Sequence, residues 1–139
     1  MSPLMLDVSQ VKLTDEQFYR LCVSNVDFRL ERTAAGMLVV MPPGGGESGN
    51  REFELGLDLG VWNRQARLDK VFSSSTVFKL PGGSDRSPDV AWVEQSRWDA
   101  LTPEARAKFP PIAPDFVIEL RSRTDRLGDL QAKMQEYMA

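Results

Sequence analysis

The spacing of apolar and polar positions along the chain predicts three main helices. Thr14 and Gln17 have the spacing of a capping box, which begins a short helix with an apolar face around Phe18. Ser48 is a good N-cap for a second helix that runs to about Gln65. That helix has two apolar stripes, which predict that it is covered on two sides: Phe53, Leu57 and Val61, and Leu55, Leu59 and Trp62. The last helix starts at about Thr124 and has one apolar face: Leu127, Leu130, Met134, Tyr137 and Met138.

Two strands are predicted between the first and second helices. Residues 28–30 alternate between apolar and charged side chains, which is the pattern of a half-buried strand. Residues 34–36 end in a glycine and form a turn into a second strand over residues 37–41. The two strands are therefore expected to form a hairpin.

The second half of the chain predicts further strands and a short helix. Strand signals occur at residues 71–72 and 76–80. The glycine-rich residues 81–85 form a turn that is expected to make a hairpin with the strand containing Asp89. Pro103 begins a short helix in the polar stretch that follows. This order of elements predicts a mixed α/β or α+β domain around one sheet.

Two of the predicted strands each carry an acidic residue at one end. Asp89 lies near the start of the run at residues 87–93, directly after Pro88. Glu119 lies near the far end of the run at residues 113–121, which is otherwise mostly apolar. A carboxylate in apolar surroundings is costly unless it has a partner such as a metal, a base or water. The pair of acids is therefore a candidate metal site.

The chemistry of this pair depends on nearby cations. Two carboxylates at the ends of adjacent strands can hold a magnesium ion, with water completing its coordination. Arg121, on the same strand face as Glu119, and Lys133, on the last helix, are candidates to stabilise charge on a phosphate. Only the lysine can also act as a base, because the pKa of arginine exceeds about 12. Spacing alone favours a structural interpretation, in which Glu119 is a salt-bridged strand end and Lys133 pairs with Asp129.

Composition excludes several other kinds of chemistry. The chain has 139 residues, enough for one domain, and its net charge of −3 is not that of a strongly basic nucleic-acid-binding protein. It has no histidine, which excludes Ser-His and Cys-His catalysis, and its single cysteine, Cys22, excludes an internal disulfide. We find neither a signal-peptide pattern nor a run of about 18 apolar residues, and therefore expect a cytoplasmic protein with no membrane partner.

Three segments together resemble the Uma family of endonucleases: residues 87–93 (SPDVAWV), 114–122 (PDFVIELRS) and 129–137 (DLQAKMQEY). This family belongs to the restriction-endonuclease-like PD-(D/E)XK superfamily and is abundant in cyanobacteria. Residues 43–50 (PGGGESGN) and 72–76 (FSSST) also resemble it, and the similarity runs in order from about Leu13 onward. The resemblance implies a restriction-endonuclease-like fold, with a central mixed β-sheet flanked by helices.

The resemblance also implies a set of metal ligands. Asp89 corresponds to the first metal-binding acid of the family and Glu119 to the second. The backbone carbonyl of Leu120 would offer a further ligand, and Glu54 on the second helix resembles the acid that completes such sites. The implied cofactor is Mg²⁺ or Mn²⁺, and the implied substrate is DNA.

The lysine of the superfamily motif is not in its usual place. It normally follows the second acid by two residues, and that position here is Arg121. Lys133, or Gln131 beside it, is expected to take over its role from the last helix. Arg121, Lys133 and Gln131 are therefore the candidate catalytic residues besides the two acids.

The leading hypothesis is a Mg²⁺-dependent endonuclease that hydrolyses DNA with a metal-activated water. Arg121 in place of the lysine favours an alternative, a catalytically inactive nuclease-fold protein that acts as an interaction or structural module. A nucleic-acid-binding module without cleavage is a third possibility. Family members continue with further strands, so we expect residues 1–139 to be one nuclease domain that is either truncated at its C-terminus or naturally short and dependent on a partner. The apolar face that such a loss uncovers favours a homodimer.

Overall fold

The structure, a computed structural model, describes residues 3–139 and has a mixed α+β architecture. The fold class predicted from the sequence is therefore confirmed. In chain order the elements are β1 (Leu4–Asp7), α1 (Asp15–Ser24), β2 (Arg29–Arg32), β3 (Met37–Met41), α2 (Gly46–Ala66), β4 (Lys70–Ser73), β5 (Phe78–Lys79), β6 (Asp85–Arg86), β7 (Val90–Val93), α3 (Gln95–Asp99), α4 (Pro103–Ala107), β8 (Phe116–Ile118) and α5 (Leu127–Met138).

The helix starts follow local hydrogen-bonding rules. Thr14 caps α1 in the predicted capping box: its hydroxyl accepts from the Gln17 amide at 3.1 Å, and its own amide donates to the Gln17 side chain at 2.9 Å. Pro103 starts α4 as predicted. The prediction that Ser48 caps α2 is wrong, because the chain is already helical from Gly46 and Gly45 is the N-cap. Glycine is accepted at an N-cap although it has no side chain to accept a hydrogen bond.

The first sheet has five antiparallel strands in the order β1-β3-β2-β6-β5. The predicted hairpin of β2 and β3 is confirmed, and it turns at Gly36, whose φ of +89° suits glycine. One apolar core lies between this sheet and α1 and contains Phe18, Leu30 and Leu38. The edge strand β1 was not predicted, because its side chains are exposed and so carry no pattern of alternating burial.

The second sheet has three antiparallel strands in the order β4-β7-β8. The hairpin predicted for the Asp89 strand is wrong in its partner: β5 turns at Gly83 (φ +98°) and pairs with β6, whereas β7 pairs with β4 and β8. The chain leaves the first sheet after Arg86 and enters the second at Val90. Pro88 lies between them and has no N–H to continue a ladder, so β6 and β7 do not form one continuous strand. The expectation of one sheet is wrong, because the described strands form two.

A second apolar core joins the second sheet to the helices and contains Phe78, Leu80, Ala91, Val93, Ile112 and Tyr137. Helix α2 also packs on this sheet, and Gly56 lies near Val90, where an added Cβ atom would make an ordinary contact of 3.8 Å. The prediction that α2 is covered on two sides is wrong, because Phe53, Leu57 and Val61 are exposed.

In the part of the chain that the structure describes, no helix is both long enough and apolar enough to cross a membrane. The cytoplasmic location stays a prediction, and so does the division into one domain. The prediction about a signal peptide concerns an N-terminal segment that includes Met1 and Ser2, and these two residues lie outside the described part of the chain.

Candidate active site

Asp89 lies at the junction between the two sheets, directly before β7. Its side chain is only 13% exposed. One carboxylate oxygen accepts a hydrogen bond from the backbone amide of Leu120 at 2.6 Å, and the other lies 3.6 Å from the Arg29 guanidinium. Since β7 and β8 are paired neighbours, this bond holds Asp89 beside the end of β8.

Glu119 directly follows β8, and its side chain is 7% exposed. Its Oε1 atom lies 2.9 Å from the Nζ atom of Lys133 and accepts a hydrogen bond from the Tyr137 hydroxyl at 2.9 Å. Lys133 and Tyr137 are four residues apart on α5 and therefore project from the same face of the helix. Helix α5 thus supplies both partners of this carboxylate.

Lys133 is buried between two carboxylates. Besides Glu119, its Nζ atom lies 3.1 Å from the Oε2 atom of Glu31. The predicted surface pair with Asp129 is wrong, because the buried face of α5 turns Lys133 into the site and leaves Asp129 exposed. The lysine therefore stands beside the second acid in space, although it is fourteen residues away in sequence.

Glu31 is a member of the site that the sequence did not indicate. It lies on β2 with its side chain 1% exposed. Its Oε2 atom accepts a hydrogen bond from the Ser87 amide at 2.6 Å, and its Oε1 atom pairs with Arg86 at 3.2 Å. In a short strand that contains several charged residues, each charged side chain is normally predicted to be solvated. No signal in the sequence distinguishes Glu31 from such a residue.

Burial disfavours the charged forms of both acids. It raises the pKa of Asp89 above its ordinary value, although the Leu120 amide and Arg29 act in the opposite direction. It also raises the pKa of Glu119 despite the compensation from Lys133, and the negative charges of Asp89 and Glu31 raise that pKa further. Burial and the charge of Glu119 raise the pKa of Tyr137. Tyr137 therefore keeps its hydroxyl proton and donates a hydrogen bond to Glu119. A bound cation would favour the ionised forms of both acids.

The donor set fits a magnesium-type ion. Mg²⁺ is usually held by one or two carboxylates, with water and substrate phosphates as the other ligands. Asp89 and Glu119 are the two buried carboxylates that could hold such an ion. Within residues 3–139, no group of three or more acidic, cysteine or histidine side chains is arranged to hold a metal.

The remaining predicted residues lie around the site or away from it. Leu120 is at the site through its amide. The side chains of Arg121, Gln131 and Glu54 are exposed, and none has a contact to Asp89 or Glu119 in the described part of the chain. The acid on α2 that acts on Asp89 is Glu52, whose negative charge raises the Asp89 pKa.

A sequence signal for Glu52 does exist. Gly56 and Gly60 follow it at four-residue spacing, and such a glycine stripe marks the helix face that approaches a sheet. That face borders an open groove of about 550 Å³ between α2 and the second sheet. Glu52 and Asp89 line the groove together with the exposed apolar side chains Phe53 and Leu57.

A mixed α+β fold with two buried strand-end acids and an adjacent lysine is consistent with a restriction-endonuclease-like protein. The chain belongs to the Uma2 family, described as "Putative restriction endonuclease", whose family model matches residues 15–139. The family resemblance noted from the sequence is thereby confirmed. No curated protein matches the chain.

Proposed function

We propose that this protein is a metal-dependent endonuclease that hydrolyses DNA phosphodiester bonds. The observation that carries the proposal is the contact of buried Lys133 with Glu119, next to Asp89 at the junction of the two sheets. Family membership supports a nuclease, and the pair of acids supports a divalent ion. Asp89 and Glu119 would hold Mg²⁺ or Mn²⁺, with the Leu120 carbonyl as a further ligand. When bound, the ion would polarise the phosphate and lower the pKa of a water molecule.

The residues of the chain have separate tasks in this reaction. Asp89 is oriented by the Leu120 amide, and Glu119 by the Tyr137 hydroxyl, so neither carboxylate has to be ordered when substrate binds. Lys133, which lies between the carboxylates of Glu31 and Glu119, stabilises negative charge on the phosphate. Arg29, close to Asp89 and partly exposed, is a second cation at the site.

Plasmid nicking tests the proposal directly. The wild type is expected to nick supercoiled DNA with Mg²⁺ or Mn²⁺ and to stop in EDTA. Asp89→Asn, Glu119→Gln and Lys133→Met are each expected to lower the rate at least about 100-fold, because each removes a charge that acts on the reacting groups. Asp129→Asn, an exposed change on α5, is the matched control and should leave the rate unchanged. Activity that survives Glu119→Gln or EDTA would refute the proposal.

The alternative is a protein with a nuclease fold that does not cleave DNA and acts as an interaction or structural module. Arg121 at the usual lysine position favours it, and so does the engagement of Lys133 by two carboxylates. Calorimetric titration with Mn²⁺ distinguishes the two functions, because it does not depend on turnover. The endonuclease requires binding that is lost in Asp89→Asn. Absence of binding in the wild type, with no nicking, supports the inactive module.

We further propose a homodimer. Phe53, Leu57 and Val61 form an exposed apolar stripe along α2, and a two-fold axis would cover this stripe with its own copy. Light scattering after size-exclusion chromatography is expected to give twice the chain mass of 15.6 kDa. The double variant Phe53→Ser/Leu57→Ser should be monomeric, and Val26→Ser, which changes an 80% exposed residue after α1, should not. A monomeric wild type at high concentration would rule the dimer out.

A further inference from the structure

Three arginines are grouped in the connection between β8 and α5. Arg121, Arg123 and Arg126 lie in the six residues that follow Leu120, and all three side chains are exposed. We call residues 121–126 the arginine loop. In the described part of the chain none of the three takes part in an ion pair, whereas Arg32 and Arg86 are each held by two carboxylates. The loop therefore offers three exposed positive charges that no carboxylate of the described chain pairs with.

The one acid of the arginine loop does not neutralise these charges. A carboxylate oxygen of Asp125 accepts a hydrogen bond from the Ser122 amide at 2.8 Å, and the Asp125 amide donates to the Ser122 carbonyl at 3.2 Å. Asp125 thus closes a tight turn within the loop. Counting three arginines and this aspartate, the loop carries a formal charge of +2 in a chain whose net charge is −3.

Both ends of the arginine loop are attached to the candidate active site. At its start, Leu120 donates its amide proton to Asp89. After its end, α5 carries Lys133 and Tyr137, which contact Glu119. The loop is consequently held beside the acids. A polyanion bound on the loop would pass next to them.

The other border of the site does not suit a polyanion. In its first thirteen positions, helix α2 carries one arginine, Arg51, and four acidic residues, which gives a formal charge of −3: Glu47, Glu52, Glu54 and Asp58. One of them, Glu52, acts on Asp89 itself. Negative charge on α2 repels phosphates, so the approach of a nucleic acid is favoured from the side of the arginine loop.

We propose that the arginine loop binds the phosphate backbone of DNA and positions the strand at Asp89 and Glu119. This inference rests on the proposed endonuclease function for its substrate. It assigns to Arg121 a role in substrate binding, in place of the catalytic role predicted from the sequence. Guanidinium groups pair with phosphate oxygens through two parallel hydrogen bonds, and such contacts carry no sequence information. Binding through the loop is therefore independent of sequence and sensitive to salt.

Fluorescence anisotropy with a labelled 20-base-pair duplex, in EDTA so that no cleavage occurs, tests the inference. The variant Arg121→Gln/Arg123→Gln/Arg126→Gln is compared with wild type between 50 and 200 mM salt. Each phosphate contact contributes about 0.9 to the slope of log affinity against log salt, so three contacts contribute about 2.7. Wild-type affinity should therefore fall about 40-fold more than that of the variant over this range.

The matched control removes the same charge elsewhere. Lys12, Arg20 and Lys70 are exposed residues before α1, within α1 and at the end of β4 remote from Asp89. The variant Lys12→Gln/Arg20→Gln/Lys70→Gln should keep the wild-type salt slope. Thermal unfolding checks that both triple variants are folded. If both triple variants lose the same amount of salt slope, the effect comes from net charge alone and the inference is overturned. A wild type that does not bind the duplex would also overturn it.

Failure of this inference can be distinguished from failure of the proposed endonuclease function. A wild type that binds through the arginine loop but never nicks DNA refutes the endonuclease and supports the inference. A wild type that nicks DNA at the same KM as the loop variant refutes the inference and leaves the endonuclease standing.

Discussion

Glu31 connects residues from three parts of the chain. Its carboxylate contacts Lys133 on α5, Arg86 on β6 and the amide of Ser87, two residues before Asp89. A buried carboxylate is tolerated only when its oxygens are paired in this way. Because Lys133 and the Asp89 segment meet at the same carboxylate, Glu31 sets the distance between the two sides of the candidate active site.

We predict that Glu31→Gln destabilises the protein by about 3 kcal/mol, because Lys133 and Arg86 each lose a buried charge partner while side-chain volume is kept. Urea unfolding followed by circular dichroism measures the change. Glu54→Gln, the same substitution at an exposed position of α2, should alter stability by less than about 0.5 kcal/mol. Equal effects of the two substitutions would contradict a central role for Glu31.

Among the elements, α5 links the two sheets. It contributes Tyr137 to the core of the second sheet, while Glu136 pairs with Arg86 of the first sheet at 2.5 and 3.1 Å. Glu136 also accepts a hydrogen bond from Ala34 in the turn between β2 and β3. Burial opposes ionisation of Glu136, but the hydrogen bonds and charge of Arg86 outweigh it and lower its pKa.

This lowered pKa predicts how stability depends on pH. A carboxyl whose pKa is lower in the folded state stabilises the protein above its unfolded pKa, near 4.5 for glutamate, and loses that contribution as the pH falls. At pH 7 we expect Glu136→Gln to cost about 1.5–3 kcal/mol, the range for hydrogen bonds to charged groups. Unfolding curves measured from pH 7 to pH 3 give the difference in unfolding free energy between the variant and the wild type. This difference should shrink as the pH falls below about 4.5. A difference that is constant with pH would exclude this ion pair as its source.

At the scale of the whole molecule, the described chain passes between the two sheets three times: from β3 to β4, from β4 to β5 and from β6 to β7. The segment from Ser87 to Asp89 makes the last of these crossings, and the candidate site lies there. The contacts of Glu31 and Glu136 tie the same two sheets together through buried charges. The site and the junction are therefore stabilised by the same side chains.

We predict that the two sheets unfold as one cooperative unit. Trp62 and Trp92 contact each other beside the second sheet, and Trp98 packs on Phe72, so tryptophan fluorescence reports this part of the molecule alone. Far-UV circular dichroism reports the helices α1 to α5 together. The two signals should change at the same urea concentration. Separate transitions would mean that the sheets are independent, against the single domain predicted from the sequence.

Much of the local structure was determined by the sequence alone. The Thr14 capping box, the turn at Gly36 and the helix start at Pro103 depend on neighbours within a few residues, and the structure has all three. The position of Asp89 and Glu119 at strand ends also follows from local patterns. The predicted boundary of a helix is wrong where the local signal is weak, as at the glycine start of α2.

Only the tertiary structure decided which residues meet. The Lys133–Glu31 pair spans about a hundred residues and Arg86–Glu31 spans 55, so each depends on how β2, β6 and α5 pack rather than on any local rule. The division into two sheets, the exposed side of α2 and the burial of Glu31 also depend on packing. A charged residue has the same local pattern whether water or another side chain is its partner. The sequence therefore determined most of the elements and the two strand-end acids, and packing determined the site.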